Sequence, residues 1–559
     1  MIRLFEQSYK RKIYDLDGVW KFATDSFNTG FKQSFHTDFP ADEKNICVPC
    51  SWNCLLGMEN YIGVAWMKTE FVTEKKNIKI VFGAVNNDAI VYIDGNKIGE
   101  HIGGFTEFSF IVENLEPGNH ILTLRIDNTQ TESDTIPLKR ADWFNHGGIM
   151  RSVEIHEFDN VIVDNIKIDY DLDLKLKKAD ISLNTQIYCI SPIEDSLVLK
   201  IDSQTKMQKN IKLNSGINTI KQNLSIENIK IWDIDSPNLY MFTVAFGEDE
   251  LNERTGFRTI EIKGKDFILN GRKIIFKGVN RHEEHPDWGF AVPFSITKKD
   301  VDIICDMNCN IIRGSHYPNS KLTLDYLDER GVLFWEEIPM WGFPEEPLKN
   351  ERVKQIGNKM HEEMVARDFN HPCIIIWGLH NEIATDTQAA YEMSEEFIKT
   401  LRRYDTKRLI TFASMKPEKD ICFPLADFIS MNKYIGWYEG TLKEWDKFID
   451  DFHTYLAKFD CEGKPVVISE FGAGGIWGNV SLENLKWTEN YQAEAIDYMI
   501  KVFLRREDIA GMFIWQYCDM RSSHDMELTR ARSYNNKGML NEYRKPKMAY
   551  YAVKKAYAE

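Results

Sequence analysis

Residues 373–382 read CIIIWGLHNE, and residues 465–472 read PVVISEFG. Each stretch is a short, almost continuous apolar run that leads to a glutamate, Glu382 in the first and Glu470 in the second. Such runs are typical of parallel strands that are buried on both faces. Because alternating β/α proteins place functional side chains at the carboxyl ends of these strands, the two stretches predict a parallel barrel with a carboxylate at the end of each strand.

The rest of the C-terminal half repeats this order of elements. After Gly264, strand-like segments alternate with amphipathic stretches such as 298–307 and 492–504. The repeated β/α unit predicts a (β/α)8 TIM barrel over residues 264–559. The eight predicted strands are residues 274–279, 310–313, 332–336, 374–377, 409–412, 428–431, 466–469 and 512–515.

The N-terminal half has the pattern of an all-β protein. Residues 89–93 precede the turn Asp94-Gly95, and Asp-Gly between strand-like segments is a strong hairpin signal. Short strands with polar turns predict a jelly-roll-like β-sandwich, similar to sugar-binding domains, over residues 1–160. The same alternation over residues 161–263 predicts a second, immunoglobulin-like β-sandwich.

Bulk properties exclude several classes of function. The net charge of −16 argues against nonspecific binding of nucleic acid. Residues 1–16 are interrupted by charges and lack the apolar run of a signal peptide, and no apolar stretch approaches the roughly 20 residues of a membrane span. We therefore expect a cytoplasmic protein without a membrane partner. Cys47, Cys50 and Cys54 lack a second ligand pair at suitable spacing, so we expect space-filling thiols and no zinc there.

Two carboxylates that face one cavity are the minimum equipment for breaking a glycosidic bond. One must be protonated to donate to the departing oxygen, and the other must be ionised to attack the sugar or to activate water. A carboxyl separation of about 5–5.5 Å indicates retention of configuration, and one of roughly 6.5–9.5 Å indicates inversion. Spacing along the sequence does not distinguish the two.

Several stretches resemble the signatures of glycoside hydrolase family 2. Residues 371–382 (HPCIIIWGLHNE) resemble the acid/base signature of that family, residues 310–318 (NIIRGSHYP) its other signature, and residues 469–472 (SEFG) its nucleophile segment. Gly314 stands where the family usually has a slightly larger residue. The resemblance extends along the whole chain and implies a retaining mechanism, with Glu382 as acid/base and Glu470 as nucleophile.

The resemblance also implies roles for other side chains. Asn381 would bond the 2-hydroxyl of the sugar, and Tyr434 would position the nucleophile. His316 and His380 are expected at the rim of the pocket. Three further residues would contact or line the sugar site: Asp142, Tyr438 and Trp515.

Residues 532–538 (RSYNNKG) give the best indication of the sugar. They resemble the Asn-x-Lys element by which β-glucuronidases of the family recognise a uronic acid, and Asn535 and Lys537 stand at its two named positions. A carboxylate that enters a partly dry pocket needs a cation and hydrogen-bond donors, whereas a neutral sugar would leave the lysine unpaired. Arg530 or Arg532 could add a second cation, and the sequence does not decide between them.

These features predict an exo-acting β-glucuronidase. A β-galacturonidase, or an enzyme that accepts both uronides, is the nearest alternative because the C4 epimer presents the same carboxylate, and a β-galactosidase is third. A protein of another class, a non-catalytic carbohydrate-binding protein, is disfavoured because both glutamates, Asn381 and Tyr434 are retained. We expect no metal or cofactor, a small-molecule or oligosaccharide β-uronide as substrate, no nucleic-acid partner, and a homo-oligomer. The short segment after Glu337 predicts an open entrance.

Overall fold

The computed structural model of the chain describes residues 3–41 and 43–559, so the start of the first predicted domain, at Met1, lies outside the described residues. Its first part is a β-sandwich. A six-stranded antiparallel sheet, in the order β3-β2-β4-β10-β7-β8, packs on a four-stranded sheet in the order β1-β12-β5-β9. The strands are β1 (Lys12–Asp15), β2 (Gly18–Asp25), β3 (Lys44–Val48), β4 (Val64–Thr73), β5 (Asn77–Phe82), β6 (Val85–Asn86), β7 (Asp88–Ile93), β8 (Asn96–Ile102), β9 (Phe108–Val112), β10 (Gly118–Asp127), β11 (Gly148–Ile149) and β12 (Val153–Phe158).

Alternation along the strands builds the core of this sandwich. Leu122, Leu124 and Ile126 of β10 and Ile78 and Ile80 of β5 are fully buried. Because successive side chains of a strand point to opposite faces, this spacing of two puts one apolar face of each sheet against the other.

A second, smaller sandwich follows. Its sheets have the orders β13-β14-β17 and β16-β15-β20-β21, and they enclose a separate core that includes Leu183, Leu199 and Phe242. The strands are β13 (Val161–Asp173), β14 (Lys178–Cys189), β15 (Ile193–Ile201), β16 (Gln204–Leu213), β17 (Gly216–Ile226), β18 (Trp232–Asp233), β19 (Ser236–Pro237), β20 (Tyr240–Phe246) and β21 (Asp249–Thr255).

The remainder of the chain is the predicted barrel. Eight parallel strands run in the order β29-β28-β27-β26-β25-β32-β31-β30, and a bridge between Ser414 and Met431 closes the ring. The barrel strands are β25 (Phe276–Asn280), β26 (Ile311–Gly314), β27 (Leu333–Glu337), β28 (Ile374–Asn381), β29 (Leu409–Ala413), β30 (Ile429–Asn432), β31 (Val466–Phe471) and β32 (Gly511–Ile514); outside the ring lie β22 (Ile260–Lys263), β23 (Asp266–Leu269), β24 (Arg272–Ile274), β33 (Met520–Arg521) and β34 (Tyr534–Asn535).

Helices cover the outside of the barrel. Capping side chains begin several of them: Thr387 accepts a hydrogen bond from the backbone N–H of Ala390 at the start of α5, and Thr488 accepts one from Tyr491 at the start of α7. No helix in the described ranges combines the length and the apolar content needed to cross a membrane. The helices are α1 (Phe294–Asp306), α2 (Lys321–Arg330), α3 (Glu345–Leu348), α4 (Glu351–Asp368), α5 (Gln388–Tyr404), α6 (Trp445–Ala457), α7 (Glu489–Leu504) and α8 (Met548–Ala558).

The predicted fold class is therefore confirmed, and each of the eight predicted barrel strands overlaps an observed one. The first sandwich sits on the mouth of the barrel. Phe105 of the sandwich stacks on Tyr317 of the barrel with ring centroids 3.9 Å apart, and Arg151 pairs with Glu283 at 3.1 Å. These contacts bring sandwich loops to the carboxyl ends of the barrel strands.

Candidate active site

β28 and β31 lead to the two glutamates, and both strands depart from regular pairing just before them. The register of β28 against β29 shifts between Gly378 and Asn381, and that of β31 against β32 shifts between Ile468 and Phe471. Such irregularities redirect side chains at the ends of strands. Glu382 itself has φ +55°, in the left-handed region that residues other than glycine rarely adopt. Backbone strain of this kind concentrates at functional sites.

Glu470 is held by charged and polar neighbours. Its Oε2 accepts a hydrogen bond from Tyr434 OH at 2.7 Å, and its Oε1 accepts one from Arg313 Nη1 at 3.0 Å. His316 Nε2 lies 3.9 Å from the same Oε1. The guanidinium and the phenol stabilise the ionised carboxylate, which is the form that a nucleophile needs.

Glu382 has a less charged environment. Its Oε1 accepts a hydrogen bond from Asn432 Nδ2 at 2.8 Å. Asn381 Oδ1 accepts from Arg313 Nη2 at 2.7 Å and from Asn432 Nδ2 at 3.1 Å. The amide of Asn381 is thereby oriented with its Nδ2 as a free donor, buried and without a partner in the described part of the chain.

The pKa values of both glutamates are raised, and the ionisation of one affects that of the other. Burial, and next the charge of Glu382, raise the pKa of Glu470 to about 8, although Arg313 and Tyr434 act in the opposite direction. Burial also raises the pKa of Glu382. The pair therefore holds one proton at neutral pH. That proton resides on Glu382, because Glu470 accepts from a cation and a phenol while Glu382 accepts from an amide.

Behind Glu470, Arg313 and Glu337 form a fully buried ion pair. Arg313 Nε and Nη2 donate to the two oxygens of Glu337 at 3.0 and 2.9 Å, and His316 Nδ1 lies 2.6 Å from Glu337 Oε1. Burial, reinforced by Arg313, holds the pKa of His316 well below its ordinary value, so its imidazole is neutral. Its Nδ1–H then donates to Glu337, and its Nε2 is left as an acceptor.

Several buried polar atoms around the two glutamates have no hydrogen-bond partner within residues 3–41 and 43–559. Buried polar groups without partners are costly, and hydroxyl groups of a bound sugar would satisfy them. The aromatic rings in this region are close together. The ring centroid of His282 lies 5.5 Å from that of Trp143, and the ring of His316 stacks on that of Trp515 with centroids 5.2 Å apart. The atoms are Trp143 Nε1, His282 Nε2, His316 Nε2, Asn381 Nδ2 and Gln516 Nε2.

Lys537 lies beside these residues and is almost fully buried. Its Nζ donates to Tyr438 OH at 2.6 Å and lies 5.6 Å from the ring centroid of Tyr434. Because Tyr434 also contacts Glu470, a single tyrosine separates the lysine from the nucleophile candidate.

Asp142 of the first sandwich reaches the same place. Its Oδ2 accepts from Asn535 Nδ2 at 2.8 Å, and its Oδ1 accepts from Arg530 Nη2 at 3.2 Å. Arg532 instead pairs with Glu542 at 2.8 Å and is about half exposed, with 45% of its side chain accessible. Arg530 is therefore the arginine of this segment that faces the site, a choice that the sequence left open.

The barrel mouth thus brings all ten predicted site residues together, whereas the expectation for His380 is wrong. His380 Nε2 lies 2.8 Å from Ser394 Oγ of α5, so this side chain points outward between strand and helix. The positions of Arg313, Asn432 and His282 at or just after the ends of barrel strands predict that they belong to the rim of the site, but the sequence assigned them no role. Trp143 is the residue for which the sequence indicated no place at the site.

Within the described residues, no group of three closely spaced metal-ligand atoms lies at this site. Among the described residues, the one group of three close potential ligands is Asp328, His371 and Cys373, at the amino end of β28. Asp328 Oδ2 lies 2.6 Å from His371 Nδ1, and burial raises the pKa of the Cys373 thiol well above its ordinary value, which disfavours the thiolate that a metal would bind. Cys47, Cys50 and Cys54 are free thiols.

The architecture and these motifs match known proteins. The model of the family described as "Glycosyl hydrolases family 2, TIM barrel domain" matches residues 260–559, and that of "Glycosyl hydrolases family 2" matches residues 161–258. The chain belongs to glycoside hydrolase family 2. The predicted family is confirmed, and the protein is a glycoside hydrolase.

Relatives within family 2 carry names of two uronidases. A β-galacturonidase from Eisenbergiella tayi bound to galacturonate is 33% identical, with a TM-score of 0.91 over 100% of this chain and 99% of that one. A β-glucuronidase from Ruminococcus gnavus in complex with D-glucuronic acid is 28% identical, with a TM-score of 0.89 over 99% and 98%. A β-glucuronidase from Paenibacillus borealis is 26% identical over 98% of this chain and 97% of its own length.

Proposed function

We propose that this family 2 enzyme is a retaining exo-β-glucuronidase that releases glucuronate from β-D-glucuronides. The observation that carries the proposal is Lys537, buried beside Tyr434 and joined through it to Glu470. A buried ammonium group next to the reacting centre needs an anionic partner, and the carboxylate of a uronic acid supplies one.

The two glutamates take different roles. Glu382 carries the shared proton and donates it to the glycosidic oxygen as the bond to the aglycone breaks. Glu470, kept ionised by Arg313 and Tyr434, attacks C1 and forms a glycosyl-enzyme. Glu382, now ionised, then takes a proton from water, which attacks C1 and releases the sugar. The Nδ2 group of Asn381, which has no partner among the described residues, donates to the 2-hydroxyl of the sugar, and this contact strengthens in the transition state.

The carboxylate of the sugar is received at Lys537, which one tyrosine separates from Glu470. Lys537 supplies the charge and Asn535 an amide donor, while Asp142 and Trp143 of the first sandwich close the pocket beyond them. A pocket closed by a second domain accepts one terminal sugar, which supports exo action. Neutral sugars would leave the ammonium group unmatched, so they bind poorly.

A β-galacturonidase is the second candidate, because the relative bound to galacturonate has 33% identity over the whole chain. The two sugars differ only at C4, and both place their carboxylate against Lys537. Asp142 and Arg530 are the charged groups next to the carboxylate donors and are suited to distinguish the two hydroxyl orientations.

Hydrolysis of matched 4-nitrophenyl β-D-glucuronide, β-D-galacturonide and β-D-galactoside tests the proposal. We expect kcat/KM to be highest on the glucuronide. Lys537→Ala should lower kcat/KM on uronides by about 10-fold to 100-fold, the worth of a charge-assisted hydrogen bond. Its activity on the galactoside should be unchanged. Equal losses on uronides and the neutral sugar would refute the role of Lys537, and highest activity on the galacturonide would favour the second candidate.

A further inference from the structure

A long loop follows the strand that carries Glu470. It spans residues 472–488, between β31 and α7. Loops of more than about 12–15 residues are uncommon in compact domains and are usually functional. The base of this loop is fixed to the Lys537 segment: the N–H of Gly475 donates to the carbonyl of Asn536 at 2.9 Å, and Lys547 Nζ donates to the carbonyl of Gly475 at 2.6 Å.

We call Trp437, Tyr438, Trp477 and Trp487 the rim strip. Trp437 and Tyr438 follow strand β30, whereas Trp477 and Trp487 belong to the loop, in which the N–H of Ile476 donates to the carbonyl of Trp487 at 3.0 Å. Tyr438, whose hydroxyl contacts Lys537, is 63% exposed. Next to it, Trp437 packs edge-on against Trp487 with centroids 4.9 Å apart. Trp487 and Trp477 are 37% and 43% exposed. Large rings left in water at the edge of a pocket mark a binding surface.

Two lysines lie over rings of the rim strip. Lys486 Nζ is 5.8 Å from the ring centroid of Trp437, and Lys545 Nζ is 5.3 Å from that of Trp477. Neither ammonium group forms an ion pair with a carboxylate in the described ranges, whereas the nearby Lys433 pairs with Glu418 and Glu439. In a chain with a net charge of −16, two unpaired cations beside exposed tryptophans indicate an anionic ligand.

The path out of the pocket leads to the rim strip. Tyr438 is the one exposed residue among the ten predicted to contact or act on the sugar. Its ring packs against that of Tyr434 with centroids 5.4 Å apart, and Tyr434 donates to Glu470, so the pocket opens to solvent one tyrosine away from the carboxylate that attacks C1. We infer that the rim strip, with Lys486 and Lys545, is a subsite for the leaving part of an acidic oligosaccharide. Sugar rings would stack on Trp477 and Trp487, and carboxylates along the chain would pair with the two lysines. This inference rests on the proposed exo-β-uronidase activity.

The lysines decide between classes of leaving group. An apolar aromatic aglycone or a neutral oligosaccharide would use the rings and leave both ammonium groups without a counter-charge. An acidic oligosaccharide uses the rings and the charges together, because stacking is satisfied by the apolar face of a sugar and the ammonium groups by its carboxylates.

Three substrates test the inference, each with the uronosyl unit that the wild type accepts at its non-reducing end: the 4-nitrophenyl uronide, a trisaccharide with neutral second and third units, and one in which these units carry carboxylates. We expect kcat/KM to be highest on the acidic trisaccharide. Trp477→Ala and Lys545→Ala should each lower that value by about 5-fold to 10-fold, as expected for one stacking or charged contact. Both variants should leave hydrolysis of the 4-nitrophenyl uronide unchanged.

Two matched controls carry the same changes elsewhere. Tyr551→Ala removes an exposed ring of α8, and Lys555→Ala removes an exposed lysine of the same helix; neither should alter kcat/KM on any of the three substrates.

Equal kcat/KM of the wild type on acidic and neutral trisaccharides would overturn the subsite while leaving the proposed function intact. Lack of hydrolysis of every uronide would instead overturn the proposed function. A change in oligomeric state of Trp477→Ala in sedimentation, without a change in selectivity, would assign the loop to contacts between copies of the chain and also overturn the subsite.

Discussion

Arg530 and Arg532 are two residues apart, yet their surroundings differ in a way that sets their roles. Arg530 neutralises Asp142 next to the carboxylate donors of the pocket, whereas Arg532 pairs with Glu542 near the surface. Without Arg530, the charge of Asp142 would stand unpaired close to the incoming carboxylate of the sugar. Like charges at such distances in a partly dry site are strongly unfavourable.

Arg530→Ala should therefore lower kcat/KM on uronides by about 10-fold or more, mainly through KM, with a smaller effect on a neutral galactoside. Arg532→Ala is the matched control and should keep kcat/KM within about twofold of the wild type, because Arg532 pairs with Glu542 and contacts none of the ten predicted site residues in the described part of the chain. Steady-state kinetics on both substrates measures the effect. Equal losses in the two variants would show that charge in the whole segment, rather than the pair with Asp142, supports binding.

Tyr434 sets the ionisation of the nucleophile. Its hydroxyl donates to Glu470 at 2.7 Å and so favours the charged carboxylate. Tyr434→Phe removes this donor, so the pKa of Glu470 rises and the acidic limb of the pH profile of kcat/KM moves to higher pH. A shift of about one pH unit corresponds to one hydrogen bond of ordinary strength. The pH profile of kcat/KM on the aryl uronide tests this; an acidic limb that stays in place would separate Tyr434 from the ionisation of Glu470.

At the scale of elements, strands were predictable and the direction of side chains at their ends was not. Continuous aliphatic runs identify β28 and β31, but both strands extend beyond their predicted ends, to Asn381 and Phe471. The pairing shifts there, so a period of two no longer gives the direction of a side chain. This explains why Glu382 faces the pocket while His380 contacts α5. The residue from the sandwich that the sequence missed, Trp143, reaches the site only through packing between domains.

Packing between neighbouring strands explains Gly314, which departs from the family resemblance. A Cβ at this position would lie 2.3 Å from Cζ of Phe334 on the adjacent strand β27. Gly314→Ala should therefore destabilise the protein by about 1–3 kcal/mol, the usual cost of overpacking a core. In Gly314→Ala/Phe334→Leu the smaller side chain makes room, so the double variant should lose less than the sum of the single losses. Thermal unfolding of all four proteins measures the coupling, and strictly additive losses would refute the steric explanation.

At the scale of the whole molecule, the site lowers the free energy of unfolding in return for reactivity. Its carboxyl groups are buried in a barrel mouth covered by another domain, and burial raises the pKa values of Glu337, Glu382 and Glu470 together. Groups that must ionise in a desolvated site oppose folding at the pH at which the enzyme acts.

This opposition has a defined dependence on pH. In the unfolded chain Glu382 and Glu470 both ionise near their ordinary pKa of 4.5, whereas the native pair retains one proton until the pH passes the raised pKa of about 8. Below pH 4.5 both states are protonated, so the pair imposes no penalty; between the two values the unfolded chain loses both protons while the native pair keeps one, and stability falls as pH rises. Glu470→Gln removes the charge that makes the pair hold this proton, and it abolishes hydrolysis. The melting temperature of Glu470→Gln should equal that of the wild type near pH 4 and exceed it at pH 9. At pH 9 the free energy of unfolding of the variant should be larger by on the order of 2–5 kcal/mol.

Glu439→Gln, at an exposed position, is the matched control, and its stability relative to the wild type should not increase with pH. A constant difference between Glu470→Gln and the wild type across this range would mean that the native pair of Glu382 and Glu470 holds no proton between these pH values.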